Sequence, residues 1–231
     1  MFGSPQVIVN RWRRLRLTAP RALSRLLAAT LFPPDCTLCG FDGADLDIDL
    51  CTWCRAALPW DVTQPGPLTA LRYEHPVDEM VRRLKYRGDV AMARVLGALL
   101  AKAVRQRGPP LPGLLVPVPL HASRLRGRGF NQAAALARYA GRLLEVPISA
   151  RLLSRTRDTP SQTSLGIHAR ALNVSGAFAA DAHRLRPLMT PDHVAIVDDV
   201  MTTGSTLREA RTALLAAGVR QVDLWAVARA P

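Results

Sequence analysis

Two adjacent carboxylates followed by a run of hydroxyl side chains form the part of the sequence best suited to chemistry. Asp198 and Asp199 come directly after the apolar residues 194–197. Two residues later the chain continues with Thr202, Thr203, Gly204, Ser205 and Thr206. Hydroxyl donors and a glycine at a helix N-terminus suit a phosphate group, whereas carboxylates suit sugar hydroxyls or a hydrated Mg²⁺ ion. The stretch therefore predicts a site for a phosphorylated sugar.

The elements that must position these side chains follow from the spacing of apolar residues. Residues 194–197 predict a short buried strand. Residues 207–215 have apolar side chains at helical spacing and are followed by Gly218. The order strand, acid pair, loop and helix places the acids beyond the carboxyl end of a strand, where ligands bind in open α/β sheets.

A second predicted strand and helix flank a cationic segment. Residues 114–120 predict a strand whose prolines indicate an edge or an abrupt end, and Asn131 can cap a helix over 132–144. Residues 121–128 between them predict a loop that carries three arginines, Arg124, Arg126 and Arg128. Guanidinium groups suit pyrophosphate because they donate paired N–H groups. A solvated basic loop is the alternative, and the spacing favours none of the three arginines.

The remaining elements are less regular. A helical stretch over about 76–106 is broken near Gly88, and the basic residues before that glycine, Lys85 and Arg87, indicate a solvated helix end rather than a phosphate contact. Residues 154–173 are polar and lack a period, which indicates a disordered segment or an active-site lid. Short strands are expected at 146–148, 174–179 and 222–228.

All four cysteines fall within nineteen residues of one another. They form two Cys-x2-Cys pairs, Cys36 with Cys39 and Cys51 with Cys54. This spacing predicts a closed, structural zinc site whose metal supplies the folding free energy of a short loop. Unconnected buried or redox-active cysteines are the alternative. The clustering also indicates a reducing compartment, so we expect a cytoplasmic protein.

Composition restricts the remaining possibilities. The net charge of +13 favours polyphosphate or nucleic acid as a partner, although the predominance of arginine over lysine also suggests a compositional bias. No apolar run approaches the length of a transmembrane helix. Residues 1–32 are basic and partly apolar, and we expect a helix that packs on the protein. An amphipathic helix on a membrane or on nucleic acid is the alternative.

The acid and hydroxyl stretch resembles the 5-phosphoribosyl 1-pyrophosphate (PRPP) signature of type I phosphoribosyltransferases. That signature has four apolar residues, two acids, an apolar residue, any residue and then Thr-Thr-Gly-x-Thr. The chain as a whole is similar to the ComF family, in which a cysteine ribbon precedes a phosphoribosyltransferase-like domain. Further matching landmarks are Phe32-Pro33-Pro34 and the segments 84–89, 116–120 and 128–132.

This resemblance implies an α/β fold of the type I phosphoribosyltransferase kind. We expect a Rossmann-like parallel sheet with helices on both faces, preceded by a small zinc ribbon. The expected organisation is a basic N-terminal segment 1–32, a four-cysteine zinc ribbon 33–58, a linker 59–75 and a phosphoribosyltransferase-like domain 76–231.

The resemblance also implies roles for individual residues. Residues 202–206 would bind the 5-phosphate, Asp198 and Asp199 would contact the ribose hydroxyls as the catalytic acids, and an arginine of 121–128 would face the pyrophosphate. Mg²⁺ would arrive with PRPP. The implied activity is pentosyl transfer to an unidentified acceptor.

Members of the family are linked to competence, which implies single-stranded DNA and DNA-uptake proteins as partners. The alternative is a non-catalytic module that senses PRPP or binds single-stranded DNA or a protein, because the sequence contains no evident acceptor pocket.

Overall fold

A computed structural model of the chain describes residues 35–42, 44, 48–62, 66–157, 176–181 and 192–231. The chain divides into two compact units, Met1–Cys54 and Arg55–Pro231. The expected basic segment 1–32 and most of the expected lid lie outside the described residues.

The described residues contain helices and strands that alternate along the chain. The helices are α1 (Thr52–Ala56), α2 (Val77–Arg87), α3 (Val90–Arg107), α4 (Ala122–Arg128), α5 (Gln132–Leu144) and α6 (Ser205–Ala216). The strands are β1 (Leu68–Arg72), β2 (Leu114–Pro117), β3 (Leu153–Arg155), β4 (Phe178–Ala180), β5 (His193–Met201) and β6 (Gln221–Arg229).

A four-stranded parallel sheet lies at the centre of the unit Arg55–Pro231. Its strand order is β1-β6-β5-β2, and each neighbouring pair is parallel. Ile196 of β5 is in register with Leu224 of β6 on one side and with Val116 of β2 on the other. Of the two expectations for the prolines, the abrupt end is confirmed, since β2 stops at Pro117. β2 comes last in the strand order of this sheet, but its outer side also makes a bridge from Leu115 to Ile148.

Helices cover both faces of the sheet. On one face Leu207, Ala210 and Leu214 of α6 pack with Val194 and Ile196 of β5. The alternate residues of β5 are also fully buried, and successive side chains of a strand point to opposite faces. Helices α3 and α5 pack against each other and against the strands. These observations confirm the predicted α/β class with a parallel, two-sided sheet.

Local sequence signals explain where the helices begin and end. The carboxylate of Asp89 accepts hydrogen bonds from the N–H groups of Ala91 and Met92 and so caps α3. Gly88 ends α2 in the left-handed conformation, with φ of 62°. The predicted break near Gly88 is therefore confirmed, as is the cap of α5, where the Asn131 side chain accepts from the N–H of Ala134.

Three sequence-based expectations differ from the structure in the sheet domain. Strand β5 extends past the predicted 194–197 to Met201, because β6 offers backbone partners up to Arg229, so both acids lie within the strand. Residues 122–128 form α4 instead of a loop, capped by the His121 side chain and closed by Gly129 in the left-handed conformation. The expected linker 59–75 includes β1, which is buried and paired with β6.

The smaller predicted strands are only partly present. Residue Ile148 makes a single parallel bridge to Leu115 rather than a strand. Strand β4 pairs antiparallel with β3, and β3 lies where the sequence predicted the start of a lid. Within the described parts of the chain, none of the helices has the length and apolar content needed to cross a bilayer.

Candidate functional site

A cleft of about 280 Å³ lies at the carboxyl ends of all four sheet strands. Its lining includes the first residue after each strand, namely Tyr73, Val118, Thr202 and Ala230. The parallel sheet thus brings side chains from distant parts of the sequence to one edge, which is where ligands bind in this fold class.

The two acids of β5 line this cleft but have different surroundings. The Asp199 side chain is only 6% exposed, its Oδ1 accepts a hydrogen bond of 2.8 Å from the N–H of Val200, and its Oδ2 lies 3.0 Å from Nζ of Lys85. Asp198 is partly exposed, and its Oδ1 accepts from the N–H of Asp199 at 2.8 Å.

Burial and mutual repulsion set the protonation of this group. Burial, followed by the charge of Asp199, raises the pKa of Asp198 well above its ordinary value. Burial alone would lower the pKa of Lys85, but the carboxylates of Asp199 and then Asp198 outweigh burial and raise it. Lys85 is therefore cationic at neutral pH, and Asp198 is a carboxyl group that retains its proton more readily than usual.

The position of Lys85 corrects the sequence-based interpretation of a solvated helix end. Its side chain is 23% exposed, pairs with Asp199 and lines the cleft. Gly88 does end the helix as predicted, but Lys85 follows Val81 by four residues and so continues the buried stripe of α2. That helical spacing is the sequence signal that could have identified it.

The hydroxyl loop enters α6 beside the acids. Gly204 adopts the left-handed conformation with φ of 73° as the N-cap of α6. Within the loop, the Thr203 hydroxyl donates to Oγ of Ser205 at 3.1 Å, and Nη2 of Arg208 donates to the Thr203 carbonyl at 2.6 Å. Thr202 and Thr206 line the cleft, whereas Thr203, Gly204 and Ser205 are not among its described lining residues.

The arginines of α4 separate into two groups. Arg124 and Arg128 line the cleft, and Arg126 is not among its described lining residues. Residues four apart on a helix share a face, so the helical conformation that the sequence did not predict explains this selection. Nη1 of Arg128 donates to Oε1 of Gln132 at 2.8 Å, and its guanidinium lies over the Tyr86 ring at 5.8 Å.

Several lining residues were absent from the sequence-based prediction. They are Tyr73, Lys85, Tyr86, Gln132 and Arg155. Arg155 reaches the cleft from β3, and Tyr73 follows the strand that the sequence assigned to a linker. Apart from Lys85, whose helical spacing is a local signal, these residues reach the cleft through tertiary contacts that no local pattern encodes.

The four cysteines form a second candidate site, within the unit Met1–Cys54. Their Sγ atoms all lie within 4.8 Å of one another, and the Cys39 and Cys51 sulfurs are 3.7 Å apart. Tetrahedral zinc with Zn–S bonds of about 2.3 Å requires sulfurs about 3.8 Å apart. The cluster can therefore hold a metal such as zinc.

Hydrogen bonds and charge in this cluster favour a bound cation. Burial would raise the pKa of Cys36, but backbone N–H groups, first that of Cys51, lower it to about 6. Burial and the neighbouring thiols raise the pKa of Cys54. Four thiolates this close are stable together only when a cation offsets their charge, as in a closed structural site.

Known proteins similar to this chain point to one family. Searched against family models, the chain matches none. It is 31% identical over 196 residues to "Competence protein F" of Haemophilus influenzae, covering 83% of this chain and 84% of the relative. It is 32% identical over 198 residues to "DNA utilization protein YhgH" of Escherichia coli, covering 84% and 83%.

A third relative is more distant. "Competence protein ComFC" of Bacillus subtilis is 27% identical over 146 residues, which are 63% of this chain and 56% of the relative. The match to the first two relatives extends over most of both chains. On that identity and coverage, the chain belongs to the ComF family.

Proposed function

We propose that the cleft binds PRPP and that the protein transfers its phosphoribosyl group to an acceptor. The observation that carries this proposal is the convergence of three chemistries at one edge of the sheet. Carboxylates suit the ribose hydroxyls, the hydroxyl loop at the α6 N-terminus suits the 5-phosphate, and guanidinium groups suit the pyrophosphate.

The charge of the cleft supports a polyanionic ligand. Its described lining contains four cationic side chains, Lys85, Arg124, Arg128 and Arg155, against two carboxylates. Lys85 and Asp199 offset one another, so three arginines remain against the single carboxyl group of Asp198. A concave surface with excess positive charge attracts multiply charged phosphates.

The proposed assignment follows the positions of these side chains. Thr202 and Thr206, with the backbone of the loop through Thr203, Gly204 and Ser205, take the 5-phosphate. Asp198 and Asp199 are the two acids on the ribose side of the cleft. Arg124 and Arg128, rather than Arg126, face the pyrophosphate because they line the cleft.

The residues of the chain would act by positioning and by charge. The bond between C1 of the ribose and the pyrophosphate oxygen breaks, and its electron pair leaves with the pyrophosphate. The guanidinium groups stabilise the negative charge that grows there, and the carboxylates stabilise the positive charge on the sugar. The acceptor then forms the new bond to C1.

Mg²⁺ fits this cleft chiefly through the substrate. Of the two carboxylates in the described lining, Asp199 is already paired with Lys85. Asp198 is therefore the side chain that could contact a metal or its water, and the pyrophosphate oxygens would hold the rest of the coordination shell. Bound there, Mg²⁺ would neutralise part of the charge of the leaving group.

Pyrophosphate release tests the enzymatic proposal. The full chain is incubated with PRPP, Mg²⁺ and a panel of nucleobases, and the Asp198→Asn/Asp199→Asn variant is the control. We expect release that depends on one acceptor class and is lost in the variant. Binding of PRPP with no release for any acceptor would instead identify a PRPP-sensing protein.

A second function is favoured by the cysteine unit. Phe41 and Trp53 lie beside the two cysteine pairs and are 76% and 85% exposed. Exposed aromatic rings on a basic protein suit the stacking of unpaired bases, and the chain carries a net charge of +13. With the competence and DNA utilization names of its relatives, we propose that the protein binds single-stranded DNA during DNA uptake, in the cytoplasm and with other uptake proteins.

Anisotropy of a labelled oligonucleotide tests this second function. Phe41→Ala/Trp53→Ala should weaken binding, while Val90→Ala, an exposed apolar residue elsewhere, should not. Affinity should fall steeply with salt. No binding by the natural chain at low salt would remove single-stranded DNA as a partner.

A further inference from the structure

The two acids of the signature are adjacent in sequence but not equivalent in structure. Both lie within β5, and neighbouring side chains of a strand point in opposite directions. They cannot therefore face one small ligand in the same way. Asp199 is 6% exposed, whereas Asp198 is partly exposed at the cleft.

The oxygens of Asp199 are already engaged by the protein. Its Oδ1 accepts the N–H of Val200 at 2.8 Å, and its Oδ2 lies 3.0 Å from Nζ of Lys85. A buried carboxylate without a counter-charge is costly, so Lys85 is what permits an acid at this position. A substrate that contacts Asp199 would have to share this carboxylate with Lys85.

The helix that carries Lys85 is well anchored. Met80 and Leu84 of α2 are fully buried, and the C-terminal end of α2 is tied by Nη2 of Arg83, 2.7 Å from Oδ2 of Asp89. Lys85 is thus held by a rigid element rather than by a mobile loop. A rigid lysine can fix the orientation of the carboxylate that it pairs with.

We propose, resting on the proposed function, that Lys85 is a positioning residue that holds Asp199 as a fixed anion in the cleft wall and leaves Asp198 as the acid that binds the ribose. The two acids of the signature therefore have different roles. Asp199 fixes the end of β5 through its contacts with Lys85 and the N–H of Val200, whereas Asp198 contacts the sugar hydroxyls.

Calorimetry with two separate probes tests this division. Ribose 5-phosphate reports the sugar side and inorganic pyrophosphate reports the arginine side. Lys85→Met should weaken ribose 5-phosphate binding by about tenfold or more and leave pyrophosphate binding unchanged. Lys85→Arg should restore most of the loss. Lys102→Met removes the chain's other lysine, which is not among the lining residues, and should change neither affinity.

The acid variants sharpen the test. Asp199→Asn should match Lys85→Met, and the double variant Lys85→Met/Asp199→Asn should be no worse than either single change, because the two residues act as a unit. Asp198→Asn should add its own loss to that of Asp199→Asn. If Lys85→Met does not fold, the ribose 5-phosphate affinity of the double variant tests the proposal instead, because the double variant removes both charges and leaves neither one unpaired.

The possible results distinguish a failure of the proposed function from a failure of the role proposed for Lys85. Failure of the natural chain to bind ribose 5-phosphate and PRPP would overturn both the proposed function and this inference. Normal binding by the natural chain and by Lys85→Met would overturn the inference alone. An equal loss of pyrophosphate binding in Lys85→Met would also overturn it, because Lys85 would then contact the leaving group directly.

Discussion

The cysteine cluster and the cleft are two sites built in opposite ways. The cluster takes all its donors from Cys36 to Cys54, so the turns of one short segment bring them together. The cleft takes its lining from Tyr73 to Ala230 and exists only because four parallel strands end at one edge. The first depends on local spacing and can hold a metal such as zinc, and the second depends on the packed core of the sheet.

This difference predicts that the two sites fail separately. Removing the metal should disrupt the structure of the unit Met1–Cys54, whereas changing a cleft residue should weaken ligand binding. The following predictions test that separation, starting with the largest expected effect.

Loss of the metal should abolish the structure of the cysteine unit. Structural zinc contributes about 10–16 kcal/mol in small zinc domains, far more than a segment of this size gains from packing. Cys36→Ser or a chelator should make the unit sensitive to proteolysis and remove zinc measured by metal analysis. PRPP binding should persist. Thr52→Ala, which alters a neighbour that is not a ligand, is the matched control, and protease resistance without metal would contradict the prediction.

Arginine variants should separate the two faces of α4. Arg128→Ala and Arg124→Ala should each weaken pyrophosphate binding by about tenfold, because each removes a charge-assisted contact. Arg126→Ala makes the same change outside the described lining and should have little effect. Equal losses for all three in calorimetry would mean that only net charge matters.

Gly204→Ala should destabilise the loop that enters α6. An alanine at φ of 73° costs about 1–2 kcal/mol, and its Cβ would lie 3.1 Å from Nη1 of Arg208 and 3.3 Å from Sδ of Met201. Gly127→Ala, in α4 with nothing within 4 Å of the added carbon, should stabilise by about 0.5–1 kcal/mol. Denaturant unfolding distinguishes them, and equal effects would contradict the prediction.

Asp198→Asn should stabilise the fold at neutral pH while it weakens binding. The pKa of Asp198 is raised above its ordinary value of 3.8, so between 3.8 and the raised value the folded state binds more protons than the unfolded state. The stability of the natural chain therefore falls as pH rises through that window. The advantage of the Asn variant in thermal unfolding should grow over the same window, and a variant less stable at every pH would contradict this.

The sequence was sufficient to predict a candidate site wherever the residues of that site are contiguous in the chain. The cysteine spacing predicted the cluster, and the stretch from Asp198 to Thr206 predicted acids and hydroxyls at the carboxyl end of the sheet, although both acids lie within β5 rather than after it. The apolar spacing of α2, α3 and α5 also predicted those helices, because Gly88 and Asn131 are strong local boundary signals.

The sequence was not sufficient to predict residues and elements whose place depends on a partner that is distant in the chain. Lys85 and Asp199 are far apart in the chain, and only the pairing of α2 with the sheet edge joins them. Residues 122–128 carry three arginines between a predicted strand and a predicted helix, which suggested a loop, yet the His121 cap and Gly129 close a helix. β1 was assigned to a linker because prolines precede it, although its burial against β6 makes it a sheet strand.

PRPP binding by the cleft is tested most directly by a calorimetric titration of the full chain with PRPP and Mg²⁺. We expect saturable binding to the natural chain and a loss of about a hundredfold or more in Asp198→Asn/Asp199→Asn, since the charged contact of Asp198 and the ion pair of Asp199 are both removed. Cooperative thermal unfolding should be retained. Unchanged affinity in the variant, or no PRPP binding by the natural chain, would contradict the assignment of the cleft.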